Sequence, residues 1–232
     1  MRKSALWCIP CTFFVIATVL NLAGKLIGLH ELSAIVKPAL LPLLTATTLA
    51  YLMGQEHPHY LGTGLLIAAQ LFGCAGDILL IPSGFPFFAG GMVAFLIGHI
   101  CYMGLFGGYS WKGLGAGVWA IAIVIMGATV FGLVKAIGIN GVMFWPMLIY
   151  GFGLMMLIFS ALAGVLRMPR RSRGTWWILL AGAVLFTFSD ALIAMETFDV
   201  LSFSARPFVI MLTYLAAQAL LAVGGIRLIL RK

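Results

Sequence analysis

Apolar residues come in long runs along the chain, and polar residues are confined to short breaks between them. Eight runs can be drawn, over 5–23, 34–53, 61–81, 86–107, 114–136, 143–166, 175–195 and 208–229. Each is near the roughly 20 residues that carry an α-helix across the hydrocarbon core of a bilayer. Gly, Pro or charge marks most of the breaks: Gly54 to Pro58, Pro82 to Pro86, Gly107 to Gly113, Gly138 to Gly141, Arg167 to Gly174, and Glu196 to Pro207. The pattern predicts an all-α integral membrane protein, a bundle of about eight transmembrane helices forming a single domain over 1–232.

Composition sharpens this. The 232 residues are 63% hydrophobic and only 9% charged, against about 25% charged in soluble domains. Nothing is left for a separate soluble domain. The net charge of +8 does not indicate nucleic acid, because the basic residues sit at the ends of apolar runs and form no stripe interleaved with exposed aromatics. Cys8, Cys11, Cys74 and Cys101 all lie inside apolar runs, which excludes a secreted disulfide framework. Cys8 and Cys11 have C-x-x-C spacing, but no βαβ pattern surrounds them, so packing is the better reading. The run after Arg2 and Lys3 is longer than the roughly 7–15 residues of a signal peptide core, and is read as the first span.

With an even number of spans, one side of the membrane holds Arg2, Lys3, Lys112, Arg167, Arg170, Arg171, Arg173, Arg227, Arg231 and Lys232. The other holds Lys25, Lys37, Lys135 and Arg206. Cytoplasmic flanks carry the excess of Lys and Arg, so both termini are expected inside, in a bacterial cytoplasmic (inner) membrane. A faint duplication is also visible. Gly76-Asp77-Ile78-Leu79 in the third run resembles Ser189-Asp190-Ala191-Leu192 in the seventh, and Lys37-Pro38 in the second is echoed by Trp145-Pro146 in the sixth. Two four-helix repeats of one topology would produce this.

Candidate chemistry follows from residues that do not belong in lipid, because an ionisable group within a span is costly and rare. Lys37, Asp77, His99 and Asp190 qualify, with Gln70, Tyr102, Tyr214 and Gln218 as polar companions. At about 1.5 Å rise per residue, Asp77 and Asp190 lie roughly 6–8 Å inside the same boundary, near which Lys37 enters. Tyr214 and Gln218 lie deeper on one helix face (i, i+4), and His99 near or past the midplane. Gln70, Gly73 and Asp77 share a face, as do His99 and Tyr102. A shared polar interior is expected, with Asp77 and Asp190 on touching helices and facing one cavity. The structural alternative is that the aspartates bond only Lys37 or helix hydroxyls, and that His99 with Tyr102 makes an interhelical hydrogen bond. One intramembrane His and two aspartates are too few ligands for a metal, and no cofactor is expected.

At these residues the chain resembles the YhhN family of membrane proteins, the lysoplasmalogenases. The resemblance runs from Lys37-Pro38-Ala39-Leu40 through Gly73-Cys74-Ala75-Gly76-Asp77 and Gly98-His99-Ile100-Cys101-Tyr102. It continues through Phe186-Thr187-Phe188-Ser189-Asp190 to Tyr214-Leu215-Ala216-Ala217-Gln218. It implies a membrane enzyme of about eight spans that hydrolyses the vinyl ether bond of lysoplasmalogens, a lysophospholipid substrate drawn from membrane lipid. The products are a fatty aldehyde and a glycerophosphoethanolamine or glycerophosphocholine. Asp77 and Asp190 are then the expected catalytic acid and base, and Lys37, His99, Tyr102, Ser189, Tyr214 and Gln218 the expected substrate-binding residues.

The residues suit that chemistry. Protonation of the alkene carbon produces an oxocarbenium ion, water adds, and the hemiacetal collapses. An acid and a carboxylate beside the cation are needed, much as in glycosidases. Two carboxyls whose surroundings favour different protonation states supply both. The competing reading is a small transporter or lipid-binding membrane protein, since a parallel repeat with midplane polar groups fits that class too. Against it, no matched pair of Gly/Pro-broken spans is evident.

Overall fold

The structure is a computed structural model and describes residues 5–56, 58–82 and 84–230. Arg2, Lys3, Arg231 and Lys232, which enter the charge count above, lie outside the described residues, as does His57. Eight helices follow one another: α1 (Cys8–Leu26, entered by a 3₁₀ turn at Ala5–Trp7), α2 (His30–Met53), α3 (Tyr60–Leu79), α4 (Phe85–Ser110), α5 (Ala116–Ala136), α6 (Phe144–Arg167, entered by a turn at Gly141–Met143), α7 (Arg170–Thr197) and α8 (Arg206–Ile229). Counted with their entry turns, eight segments of 20 to 28 residues are long and apolar enough to cross a membrane. The shortest covers about 30 Å at 1.5 Å per residue, the thickness of the hydrocarbon core.

The expected spans are all present, with two ends displaced. α2 begins at His30 instead of near 34, with Glu31 in its first turn, where a carboxylate meets the positive end of the helix. α7 begins at Arg170, so Arg170, Arg171 and Arg173 belong to its first turn and not to a loop. Cations oppose the helix dipole there, but long Arg side chains reach the interface while the backbone continues into the bilayer.

Within α1–α4 each helix packs against the next, and the same order recurs in α5–α8. α4 packs on α6 and joins the halves; α8 closes the bundle against α1, α2 and α3. Lipid tails are as apolar as Leu, so helix association depends on close packing rather than on escape from water. A Cβ on Gly164 would stand 2.0 Å from the buried Trp176 ring, and one on Gly76 would stand 2.7 Å from Phe95. These two glycines set how closely α6 meets α7 and α3 meets α4. The outward faces are apolar: Ile9, Phe13 and Ile16 of α1 and Ile121, Val124 and Ile125 of α5 are exposed. Buried polar side chains tie helices together instead, as where the Asn21 amide of α1 donates to the Ser33 carbonyl of α2 at 2.9 Å. The four cysteines are free thiols.

Candidate functional site

The site begins at the last turn of α3. Asp77 is buried there. Its Oδ2 accepts a hydrogen bond of 2.8 Å from the Tyr214 hydroxyl of α8. Its Oδ1 lies 3.8 Å from Lys37 Nζ of α2. Pro38 and Pro42 stand inside α2 beside that lysine. Each lacks an N–H and removes one rung of the helix ladder, a local loosening next to the charged side chain. The Tyr214 hydroxyl in turn accepts from Gln218 Nε2 at 3.3 Å. Gln218 Oε1 accepts from the Tyr102 hydroxyl of α4 at 3.2 Å. One chain of polar contacts thus runs Lys37–Asp77–Tyr214–Gln218–Tyr102 across α2, α3, α8 and α4. Gly73 makes room for it: a Cβ there would lie 3.2 Å from Gln218 Nε2.

The second carboxyl is on α7. Asp190 is buried on α7, and its Oδ2 accepts a hydrogen bond from the Tyr150 hydroxyl of α6. α7 packs on α6 and α8, whereas α3 packs on α2, α4 and α8. The two aspartates were expected on touching helices; α3 and α7 each pack on α8. A run of aromatic rings leads from Tyr214 to Tyr150. Tyr214 meets Phe186 at 5.5 Å and Phe95 at 6.1 Å, Phe186 meets His99 at 4.7 Å, and His99 meets Tyr150 at 5.8 Å. Phe186 lies one turn before Asp190, so one face of α7 carries both the carboxyl and the ring that meets Tyr214.

His99 is 1% exposed and neither ring nitrogen has a hydrogen-bond partner. It does not bond Tyr102, whose hydroxyl is given to Gln218. A buried polar group without a partner calls for a reason beyond folding. Ser189 is not brought into the site: its hydroxyl donates to the Ile210 carbonyl at 3.0 Å and ties α7 to α8. Gln70 donates to the Thr48 hydroxyl at 3.0 Å and ties α3 to α2. Among the described residues no group of three or more His, Cys, Asp or Glu is placed to hold a metal ion.

Sequence reasoning missed Tyr150. It stands on α6 as Lys37 stands on α2, each a polar partner to an aspartate on the following helix. Beside it an apolar cavity of about 120 Å³ opens between α4, α5, α6 and α7. Asp190 and Tyr150 are part of its wall, while Asp77 is not among the residues lining it.

Comparison with known proteins adds the family. The YhhN family model matches residues 32–225. The lysoplasmalogenase TMEM86B of Homo sapiens is 31% identical over 171 residues, covering 71% of this chain and 65% of the relative. That of Mus musculus is 31% identical over 166 residues, with the same coverage of 71% and 65%. The matched region therefore spans somewhat less than two thirds of these relatives. No solved structure matches the chain.

Proposed function

The chain belongs to the YhhN family, and on that premise we propose that it is a membrane hydrolase cleaving the vinyl ether bond of a lysoplasmalogen. The reaction consumes one water and releases a fatty aldehyde and a glycerophosphoethanolamine or glycerophosphocholine. The observation that carries the reading is the pair of buried carboxyls, Asp77 and Asp190, each accepting a hydrogen bond from a tyrosine on another helix. Together they do the acid and base work. One carboxyl delivers a proton to the alkenyl carbon farther from oxygen, leaving an oxocarbenium ion. A carboxylate then stabilises the cation and takes a proton from the attacking water. The hemiacetal so formed loses the glyceryl oxygen as an alcohol. The tyrosine hydroxyls hold the carboxylate oxygens in place, which matters because acid–base catalysis needs the group within hydrogen-bond reach of its target.

Both termini lie on the cytoplasmic side of a bacterial inner membrane in this reading. Its support is the cluster of Arg167, Arg170, Arg171 and Arg173 at the α6–α7 connection, since short cytoplasmic loops collect basic residues. The carboxyls then sit in the outer part of the bilayer, at the depth of a lysolipid's vinyl ether.

The activity is tested by incubating purified protein with lysoplasmenylethanolamine or lysoplasmenylcholine and measuring free aldehyde. Asp77→Asn and Asp190→Asn should each lower turnover by about 10²–10⁴-fold, the usual contribution of a general acid or base. Folding should suffer far less, because Asn still accepts a hydrogen bond. Two folded Asn variants working at the parent rate would remove the carboxyls from the chemistry.

A further inference from the structure

An apolar cavity lies between α4, α5, α6 and α7. Its wall includes Val134 of α5, Met147 and Met155 of α6, and Met92 and Phe95 of α4. Three side chains in it carry polar atoms: Thr187, Asp190 and Tyr150. The Thr187 hydroxyl is engaged within α7, donating to the Ala183 carbonyl at 2.9 Å. The functional polarity of the cavity is therefore the Asp190–Tyr150 pair. An apolar cavity of this order of size stays dry and takes an apolar guest.

Position and shape say which guest. The lining spans Met147 to Met155 on α6 and Thr187 to Ala194 on α7, about 10–12 Å along the helix axes at 1.5 Å per residue. Asp190 and Tyr150 lie partway along it, with apolar wall on both sides. A long narrow guest would pass them. At the α3–α4 connection, Leu80 and Phe88 also line a second hollow of about 360 Å³, walled by Pro82, Phe85, Met143 and Phe198. That hollow lies where α3 and α7 end and α4 and α6 begin, at the edge of the bilayer. An amphiphile can thus rest its head outside and send its chain past Asp190.

α5 lines one side of the cavity. It packs chiefly along α6. Its buried stripe is only Met126, Val130 and Val134. Val130 is seated on Gly151, where a Cβ would meet it at 2.8 Å. The rest of α5 is largely exposed, which leaves a sideways route for a chain from the bilayer.

We propose, on the hydrolase reading above, that this cavity receives the hydrocarbon chain of the single-chain lipid and lays its first carbons against Asp190, which makes Asp190 the carboxyl that meets the alkenyl carbon. Asp77 does not line the cavity, but Tyr214, which donates to it, lies against Phe95 of the cavity wall, so the second carboxyl is held close by for the base role. Proton transfer from the Asp190 carboxyl to that carbon breaks the O–H bond and forms a C–H bond. The alkene electrons supply the new bond, the ether oxygen shares the positive charge, and the carboxylate left behind accepts from Tyr150. Leaving bilayer hydrocarbon for an apolar cavity changes the chain's surroundings little, because lipid tails are as apolar as the wall. The cavity therefore contributes register more than affinity, and register is what a reacting pair needs.

The test uses the full chain in lipid nanodiscs and a 1-O-alkyl glycerophosphocholine carrying a diazirine midway along its alkyl chain. This probe has no vinyl ether and cannot turn over. After irradiation the label should fall on Val130 and Val134 of α5, on Ile137 just after it, and on residues 147–155 of α6. Lysoplasmenylcholine should compete it away. Met155→Trp fills the deep end, and should lower the ratio of kcat/KM for long-chain over short-chain lysoplasmenylcholine by about tenfold or more. Should that variant fail to fold, the labelling of the unmutated protein still decides. Label spread over the lipid-facing residues of α1 and α5, insensitive to competition, would overturn the chain site while aldehyde release kept the hydrolase reading. Competed label in the cavity of a protein that releases no aldehyde supports the chain site and overturns the hydrolase reading.

Discussion

Replacing Tyr214 by Phe deletes one hydroxyl and breaks two buried contacts. Asp77 Oδ2 loses its donor at 2.8 Å, and Gln218 Nε2 loses its acceptor at 3.3 Å. Lys37 at 3.8 Å from Oδ1 is too distant to replace the lost donor. In a soluble core a hydrogen bond to a charged group contributes about 1.5–3 kcal/mol. Within membranes the measured values are smaller, about 0.6 on average and about 1.7 at most, because the separated helices find other partners. The membrane figures apply here, and two contacts give an expected loss of about 1–2 kcal/mol. The assay is reversible unfolding in mixed micelles, run as a double-mutant cycle with Asp77→Leu. Because Tyr214 acts on Asp77 directly, the coupling should be about 1 kcal/mol. A control cycle with Ser160→Ala should be additive within about 0.3–0.5 kcal/mol. Ser160 accepts from Trp111 at the opposite end of the bundle. Full additivity of Tyr214→Phe with Asp77→Leu would show that the polar chain described here does not hold the helices.

Three further outcomes are expected. His99→Phe should fold as well as the parent, since two unpartnered buried nitrogens are removed, and should lower turnover; unchanged turnover would take His99 out of the site. Gly164→Val should cost about 1–3 kcal/mol or block assembly, because its Cβ would meet the Trp176 ring at 2.0 Å; parent-like thermal stability would contradict the packing of α6 on α7. Reporter fusions after Lys232 and within 168–174 should both report the cytoplasm, and an extracytoplasmic signal at either would reverse the orientation.

The spans were legible because a bilayer imposes one length on every helix, and a 20-residue apolar run has few other uses. Asp77, Lys37, Tyr214, Gln218 and Tyr102 were legible because each interrupts such a run, and helical spacing puts Tyr214 and Gln218 on one face. The structure joins all five in one chain of contacts. What spacing could not supply is the order of helices around the bundle. That is why the places of Phe186 and Tyr214 beside the aspartates were not foreseen. Tyr150 stayed hidden for a related reason. A tyrosine in an apolar run carries no charge to draw attention, and its partner appears only when α6 is seated against α7. The start of α7 was misplaced because four arginines look like a loop, although the helix continues past the edge of the hydrocarbon.

The central claim is that a protein carboxyl protonates the alkenyl carbon of a lysoplasmenyl lipid. The direct measurement is turnover of lysoplasmenylcholine in deuterated water, with the released aldehyde trapped as it forms and analysed by mass spectrometry. The account predicts aldehyde with a single deuterium on the carbon next to the carbonyl, a slower rate than in ordinary water, and loss of nearly all product in Asp190→Asn. No aldehyde from the unmutated protein, or trapped aldehyde without deuterium at that carbon, would contradict it.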